Sequence, residues 1–315
     1  MKEFVISESN EGRRLDKFVM NILKNAGSSF VYKMLRKKNI VLNGARAGGA
    51  ELIKKGDVVR LYLSDETFDK FSKIGAEEAD LSGRMPTIVY EDEDVLIVDK
   101  PAGMLTQRRA ASDISLNEIC LSYVRKTGSK SIADVDPFTP SVCNRLDRNT
   151  SGLVTFAKTY RGARCLSAAF RDHSLGKYYR CIAIGNVRDS EISGSIIKDP
   201  KTNTVIVSDD EGEESDIRTI IRRISGNGRL TYCEIKLISG KTHQIRAHLA
   251  HIGHPILGDP KYGDRTVNEE YRKKYGIRSQ MLVCCRLTVP DDFPLISLAG
   301  KTFETKIPSV FDKVM

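Results

Sequence analysis

In the stretch "NRLDRNTSGLV", Asn144 to Val154, a single carboxylate, Asp147, stands between Arg145 and Arg148. If both arginine side chains fold onto it they hold a negative charge in place, and a fixed carboxylate serves as nucleophile or general base. If they stay in the open, the same residues make a surface ion pair at the start of a strand, which contributes little. The following Asn149-Thr150-Ser151-Gly152 is small and hydrogen-bonding, suited to a tight passage from a loop into the apolar run Leu153 to Ala157. The triplet Arg-Leu-Asp occurs a second time at Arg14-Leu15-Asp16. There Leu15 belongs to a helical apolar stripe, and Arg14 and Asp16 are expected to decorate the start of that helix.

Four of the five histidines, His243, His248, His251 and His254, fall in one short segment, the last three spaced at intervals of three. Metal ligation is one chemistry for such a cluster, but HExxH is absent, no carboxylate lies among the histidines and no cysteine has ligand spacing. A helix face near RNA or a core is the other reading, and no metal is expected. GxxxxGK[ST], a GxGxxG after a strand and GxSxG are all missing, which sets aside the phosphate-loop, dinucleotide and serine-hydrolase classes. The seven cysteines include no CxxC pair and are odd in number, so buried thiols in a reducing, cytoplasmic compartment are expected rather than a disulfide framework. No apolar run is long enough to cross a bilayer, and "MKEFVISESNEGRR" lacks the apolar core of a signal peptide.

The elements that must position these groups can be read from pattern. A chain of 315 residues suggests about two domains. Residues 1–64 carry eight lysines and five arginines against six acids, out of a net charge of +9, and such a module either meets a polyanion or is a solvated basic face. Leu15, Phe18, Val19 and Ile22, then Val31, Met34 and Leu35, recur at helical spacing, with the turn residues "NAGSS" between them. "NIVLNGARA" and "KKGDVVRLYL" add strands and turns, giving a compact helix-helix-strand unit. Residues 65–85 show no sustained apolar period and are expected to be a linker. The acidic "SDDEGEES", Ser208 to Ser215, is expected to be an exposed loop. From residue 86 to 315, the runs "DVLIVDKPAG", "GLVTFA", "KYYRCIAIG" and "TYCEIKLISG" read as strands. Single helices stand among them, one marked by Ala163, Leu166 and Phe170 and one by Ile245, Leu249 and Ile252 with Thr242 as its cap. The class is α+β with a mixed sheet.

The blocks "EDEDVLIVDKPAG", "NRLDRNTSGLV", "KYYRCIAIG" and "SGKTHQIRAHLAHIGHPILGDPKYG" occur in order and resemble those of the RluA-type pseudouridine synthases across almost the whole chain. "SSFVYKMLRKKNIVLNG" in front resembles the alpha-L RNA-binding domain first known from a small-subunit ribosomal protein, an arrangement similar to the RluC and RluD branch and closest to RluC. The resemblance implies a largely antiparallel central sheet with flanking helices. It places Asp147 at the catalytic aspartate, Arg145 at the arginine that displaces the target base and Tyr179 at a tyrosine that stacks on uracil. Arg246 falls at the arginine that pairs with the aspartate, and Leu282 at an apolar pocket position. Lys33, Arg36, Lys37 and Lys38 fall where that domain meets RNA phosphate. Two positions depart from the pattern: Asn144 stands where His is usual, and Val283 where a His often follows the leucine.

Isomerising a uridine breaks the bond from ribose to ring nitrogen, turns the uracil and rejoins it through carbon. Nothing is oxidised and no group is lost, so the resemblance implies no cofactor. The aspartate acts either as nucleophile toward the sugar or as the base that removes a sugar proton, and the sequence leaves both routes open. The target nucleotide must leave its stack to enter a pocket. The expectation is an RNA pseudouridine synthase, acting as a monomer on large-subunit ribosomal RNA. The rivals are a non-catalytic RNA-binding or ribosome-assembly protein on the same scaffold and a metal-dependent hydrolase using the histidines.

Overall fold

The computed structural model describes residues 1–72, 81, 84–110, 112–127, 138–199, 204–208 and 217–315. The first unit contains β1 (Lys2–Val5), α1 (Leu15–Ile22), α2 (Ser28–Arg36), β2 (Ile40–Leu42), β3 (Ala45–Arg46) and β4 (Val58–Leu61). Its four strands form an antiparallel sheet in the order β1-β4-β2-β3. The apolar stripes of both helices lie buried in one cluster with Ile40, Val59 and Leu61. Asn43 and Gly44 both take left-handed backbone between β2 and β3, as a two-residue hairpin turn requires. The turn before α2 is capped by Gly27, with no side-chain capping bond.

One expectation for this unit needs correction, and two elements went unread. β1 was not legible because its residues are only half-buried at a sheet edge and Phe4 alone packs on the core. Asp16 does not decorate a surface: its side chain is fully buried beneath Arg14 and Tyr32. Residues 65–72, inside the expected linker, form α3 (Asp65–Ser72), with Phe68 and Phe71 packed on the core and the Phe71 ring 4.5 Å from Phe30. Two aromatics three apart leave too short a signal to read as a period. Residues 73–80 and 82–83 of that linker lie outside the described residues, as do 209–215 of the acidic stretch.

The second unit runs through β5 (Thr87–Glu91), β6 (Val95–Lys100), α4 (Leu116–Thr127), β7 (Ser141–Val142), β8 (Ser151–Ala157), α5 (Tyr160–Arg171) and β9 (Gly176–Ile184). It continues with β10 (Ser190–Asp199), β11 (Thr204–Ser208), β12 (Ile217–Gly226), β13 (Leu230–Leu237), α6 (Gln244–His251), α7 (Arg265–Tyr275), β14 (Leu282–Thr288), β15 (Thr302–Glu304) and α8 (Val310–Val314). Among the described residues one sheet takes all eleven strands, in the order β11-β10-β12-β13-β9-β14-β8-β6-β5, with β15 on β14 and β7 on β8. Pairings are antiparallel except that of β14 with β8, so the fold is α+β with a mixed, mostly antiparallel sheet. At that parallel junction Gly152 has φ +112°, and a β-carbon there would overlap the Cys284 backbone. Helix α6 is buried along Gln244 to Leu249, and its N-cap is His243 rather than Thr242.

The two units touch. The Arg13 guanidinium lies 5.0 Å from the centre of the Tyr160 ring, and Arg161 lies 3.9 Å from Glu8.

Candidate active site

Asp147 sits in the loop that leads into β8, and the backbone on either side of it is pinned. Thr106 Oγ1 donates to the Leu146 carbonyl at 2.8 Å and accepts from its N–H at 3.2 Å, while the Asp147 carbonyl accepts from Thr150 N–H at 3.0 Å. Leu146 itself is buried in the main core. Lys100 lies beneath the loop with no solvent exposure, its Nζ donating to the carbonyls of Pro101, Met104 and Arg148 at 3.1, 2.9 and 3.1 Å. Burial brings the Lys100 ammonium down to about 8, against the charges of Asp147 and Asp99, which raise it. Asn144 holds the next strand: its Oδ1 accepts from Thr155 N–H at 2.8 Å and from Thr155 Oγ1 at 3.0 Å.

The partner of Asp147 comes from α6. Arg246 Nη1 donates to Asp147 Oδ2 at 2.8 Å. The other side of the same guanidinium grips Asp259, with Nε to Oδ2 at 2.7 Å and Nη2 to Oδ1 at 2.9 Å. Tyr262 places its ring 5.2 Å from the guanidinium carbon. Burial works against the charge on Arg246, but the two carboxylates outweigh it and raise its pKa further. Burial would likewise raise the Asp259 carboxyl; hydrogen bonds from Arg246 and from the N–H groups of Lys261 and Tyr262 hold it below the ordinary carboxylate range. The inner carboxylate thus fixes the arginine, and the arginine presents one remaining N–H to the outer carboxylate.

Asp147, whose side chain is 26% exposed, opens into a cavity of about 770 Å³. The same cavity is lined by Arg246, Tyr179, Leu282, Arg145 and His243. Leu282 lies on β14, which pairs with β8, and Tyr179 on β9, the next strand beyond β14, so three successive strands bring the carboxylate, the apolar floor and the phenol together. Burial pushes the Tyr179 phenol well above its ordinary range. Arg108, Arg109, Arg145, Arg148, Lys177 and Lys241 also line the cavity, a cationic setting for a polyanion.

Neither arginine beside Asp147 in sequence folds onto it. Arg145 is exposed at the cavity, and Arg148 Nε donates to the Gly103 carbonyl at 3.1 Å; the partner stands 99 residues further along the chain. Lys33, Arg36, Lys37 and Lys38 are exposed on α2 and just past it, in the first unit and not in this cavity. Val283 packs on the opposite face of the sheet, in the cluster with Ile182 and Leu257, so the departure there does not line the cavity.

The histidines disperse. His248 is buried, with Nδ1 2.8 Å from Thr219 Oγ1, and burial brings its pKa down to about 4. His254 Nδ1 lies 3.0 Å from the Ile184 carbonyl, and His243 faces Asp147, with Nε2 3.9 Å from Oδ2. Among the described residues no three histidine, cysteine or acidic side chains are grouped to hold a metal ion. Asp259 and Tyr262 were missed as site residues; their only signal was a place in the block after α6, because their contact with Arg246 depends on how the chain turns back there.

The family pattern described as RNA pseudouridylate synthase matches residues 94–251. A protein named ribosomal large subunit pseudouridine synthase C, from Vibrio cholerae, is 30% identical over 286 residues, covering 88% of this chain and 85% of that relative. An uncharacterized RNA pseudouridine synthase of Mycoplasma capricolum is 30% identical over 278 residues, 86% of this chain and 88% of the relative. The fold is shared with the solved structure of human RNA pseudouridylate synthase domain containing 4, at TM-score 0.57 and 20% identity over 72% of this chain and 90% of that one. The matched pattern runs through Asp147, Tyr179 and Arg246, the relatives align over most of the length, and the chain belongs to the RNA pseudouridine synthase family.

Proposed function

We propose that this isomerase modifies specific uridines of large-subunit ribosomal RNA, in the cytoplasm and as a monomer, with Asp147 as the catalytic carboxylate. The substrate reading is supported by the names of its Vibrio relatives, ribosomal large subunit pseudouridine synthase C. The observation that carries the site reading is the 2.8 Å contact from a buried, doubly anchored Arg246 to a carboxylate that still faces open space.

The chemistry follows from that arrangement. The bond from ribose C1′ to ring N1 breaks and a bond from C1′ to C5 forms; the C5 proton leaves and N1 gains one. Asp147 attacks the sugar or takes a sugar proton, and Arg246 keeps it oriented in a cavity from which bound RNA displaces water, where such pairing is strong. Tyr179 stacks on the freed uracil over Leu282, and Arg145 takes the place the nucleotide leaves in the RNA. Residues 1–64 form an alpha-L RNA-binding domain in which Lys33, Arg36, Lys37 and Lys38 meet phosphate, 65–85 join it to the rest, and 86–315 form the catalytic domain.

The test is a map of pseudouridine in total RNA from cells lacking the protein, restored with wild type or Asp147→Asn. Sites in large-subunit RNA should vanish without the protein and return with wild type alone. Return with the variant would remove Asp147 from the mechanism, and loss confined to transfer RNA would overturn the ribosomal reading.

A further inference from the structure

His243 takes a left-handed backbone, φ 56° and ψ 14°, which a few per cent of residues other than glycine adopt, asparagine, aspartate and histidine most readily. No cap offsets the strain, for its side chain accepts no N–H from the first turn of α6. The backbone instead turns the imidazole to the cavity wall, with Nε2 3.9 Å from Asp147 Oδ2 and Nδ1 3.0 Å from Tyr262 Oη. The one bond this backbone gives the side chain, to Tyr262, turns its other nitrogen toward Asp147, and that placement points to a role at the cavity.

The proton positions follow from the partners. Tyr262 Oη accepts the Val205 N–H of β11 at 2.8 Å, and its one other hydrogen-bond partner among the described residues is His243 Nδ1. The phenol proton therefore goes to Nδ1, which leaves the imidazole proton on Nε2, the nitrogen that faces Asp147. Asp147 Oδ2 already accepts from Arg246, and Oδ1 has no donor among the described residues.

We propose that His243 is a positioning residue for Asp147: held in the Nε2–H tautomer by Tyr262, it closes on Oδ2 beside Arg246 when RNA fills the cavity and leaves Oδ1 aimed at the ribose. Val205 extends this chain of contacts to β11, the edge strand of the sheet, so that the edge hairpin and the carboxylate share one hydrogen-bonded path. The proposal rests on Asp147 being the catalytic carboxylate.

The test compares His243→Asn, His243→Gln and Tyr262→Phe in isomerisation of ribosomal RNA taken from cells lacking the protein, with imidazole ¹⁵N spectra of the full chain. Gln carries an N–H near the place of Nε2 and Asn near that of Nδ1. His243→Asn should lower kcat by about 10- to 100-fold with KM unchanged, and His243→Gln should recover most of that loss even though Asn suits the backbone better. Tyr262→Phe keeps the ring under Arg246; it should lower kcat and replace the single Nε2–H signature of His243 by a mixture of tautomers. A wild-type proton on Nδ1, equal kcat for the two His243 variants, or a loss in KM alone would overturn the proposal. Asp147→Asn is run alongside: full activity there would sink the reading of Asp147 and this proposal with it, whereas the ¹⁵N spectra judge the tautomer independently of activity.

Discussion

The chain contains Arg-Leu-Asp twice, and the two copies have opposite fates. In both, the leucine is an anchor: Leu15 and Leu146 are each buried in the core of their own unit. In the first, Arg14 folds back on its neighbour, and Asp16 accepts from Arg14 Nε and Nη2 at 3.1 and 2.8 Å, Lys17 N–H at 2.7 Å and Tyr32 Oη at 2.7 Å. In the second, Arg145 turns outward, and among the described residues Asp147 accepts one bond, from a distant arginine through a single oxygen. A carboxylate whose lone pairs are all engaged holds a structure together, and one with an oxygen to spare can react. The tripeptide is the same; the count of donors around it is not.

The sharpest way to break this contrast is to remove both charges in turn. Asp147→Asn should cost about 10⁴-fold or more in isomerisation rate, measured in a single turnover, and leave the thermal midpoint within error of wild type. Arg246→Lys keeps a charge but loses the fork that spans Asp147 and Asp259, and the rate should fall by about 100-fold. Asp16→Asn should do the reverse of the first variant, preserving turnover while lowering stability by about 2 kcal/mol in denaturant titration.

Acid sharpens the same comparison. Burial would raise the Asp16 carboxyl, but hydrogen bonds from Arg14, Tyr32 and Lys17 hold it below its ordinary value. A carboxyl lowered on folding contributes stability that is complete above its unfolded value and is lost as pH falls through the folded one. The wild-type protein should therefore lose stability toward acid more steeply than Asp16→Asn, as followed by chemical unfolding from pH 5 downward. The smallest effect belongs to the basic surface: replacing Lys33, Arg36, Lys37 and Lys38 by alanine should flatten the plot of log affinity against log salt by a slope of about 2 to 3, with the rate at saturating RNA unchanged.

What was legible in the sequence divides along physical lines. Helices α1 and α2 announce themselves because their apolar residues recur at a period that burial enforces, and β6 and β8 because continuous apolar runs have few other uses. The edge strand β1 and the half-exposed β10 to β12 have no such signature, since side chains at an edge answer to solvent as much as to a core. In the site, the blocks around Asp147, Tyr179 and Arg246 stood out, and the fold brings all three to one cavity. The arginines flanking Asp147 left two readings open, because adjacency along a chain leaving a loop says nothing about where two side chains point. Asp259 and Tyr262 were silent for the complementary reason: they serve Arg246 across a turn whose path no local pattern encodes.

Gly152, Cys284 and Tyr179 lie in register across three adjoining strands, β8, β14 and β9. Because Gly152 lets β8 close directly against β14, the span from the start of β8 to the Tyr179 strand is two strand spacings, about 10 Å. The sheet therefore acts as a fixed gauge for what can lie between carboxylate and phenol, set by backbone hydrogen bonds that no loop substitution resizes. Widening it takes a side chain at Gly152, a wedge at the seam where, among the described strands, two neighbours run parallel.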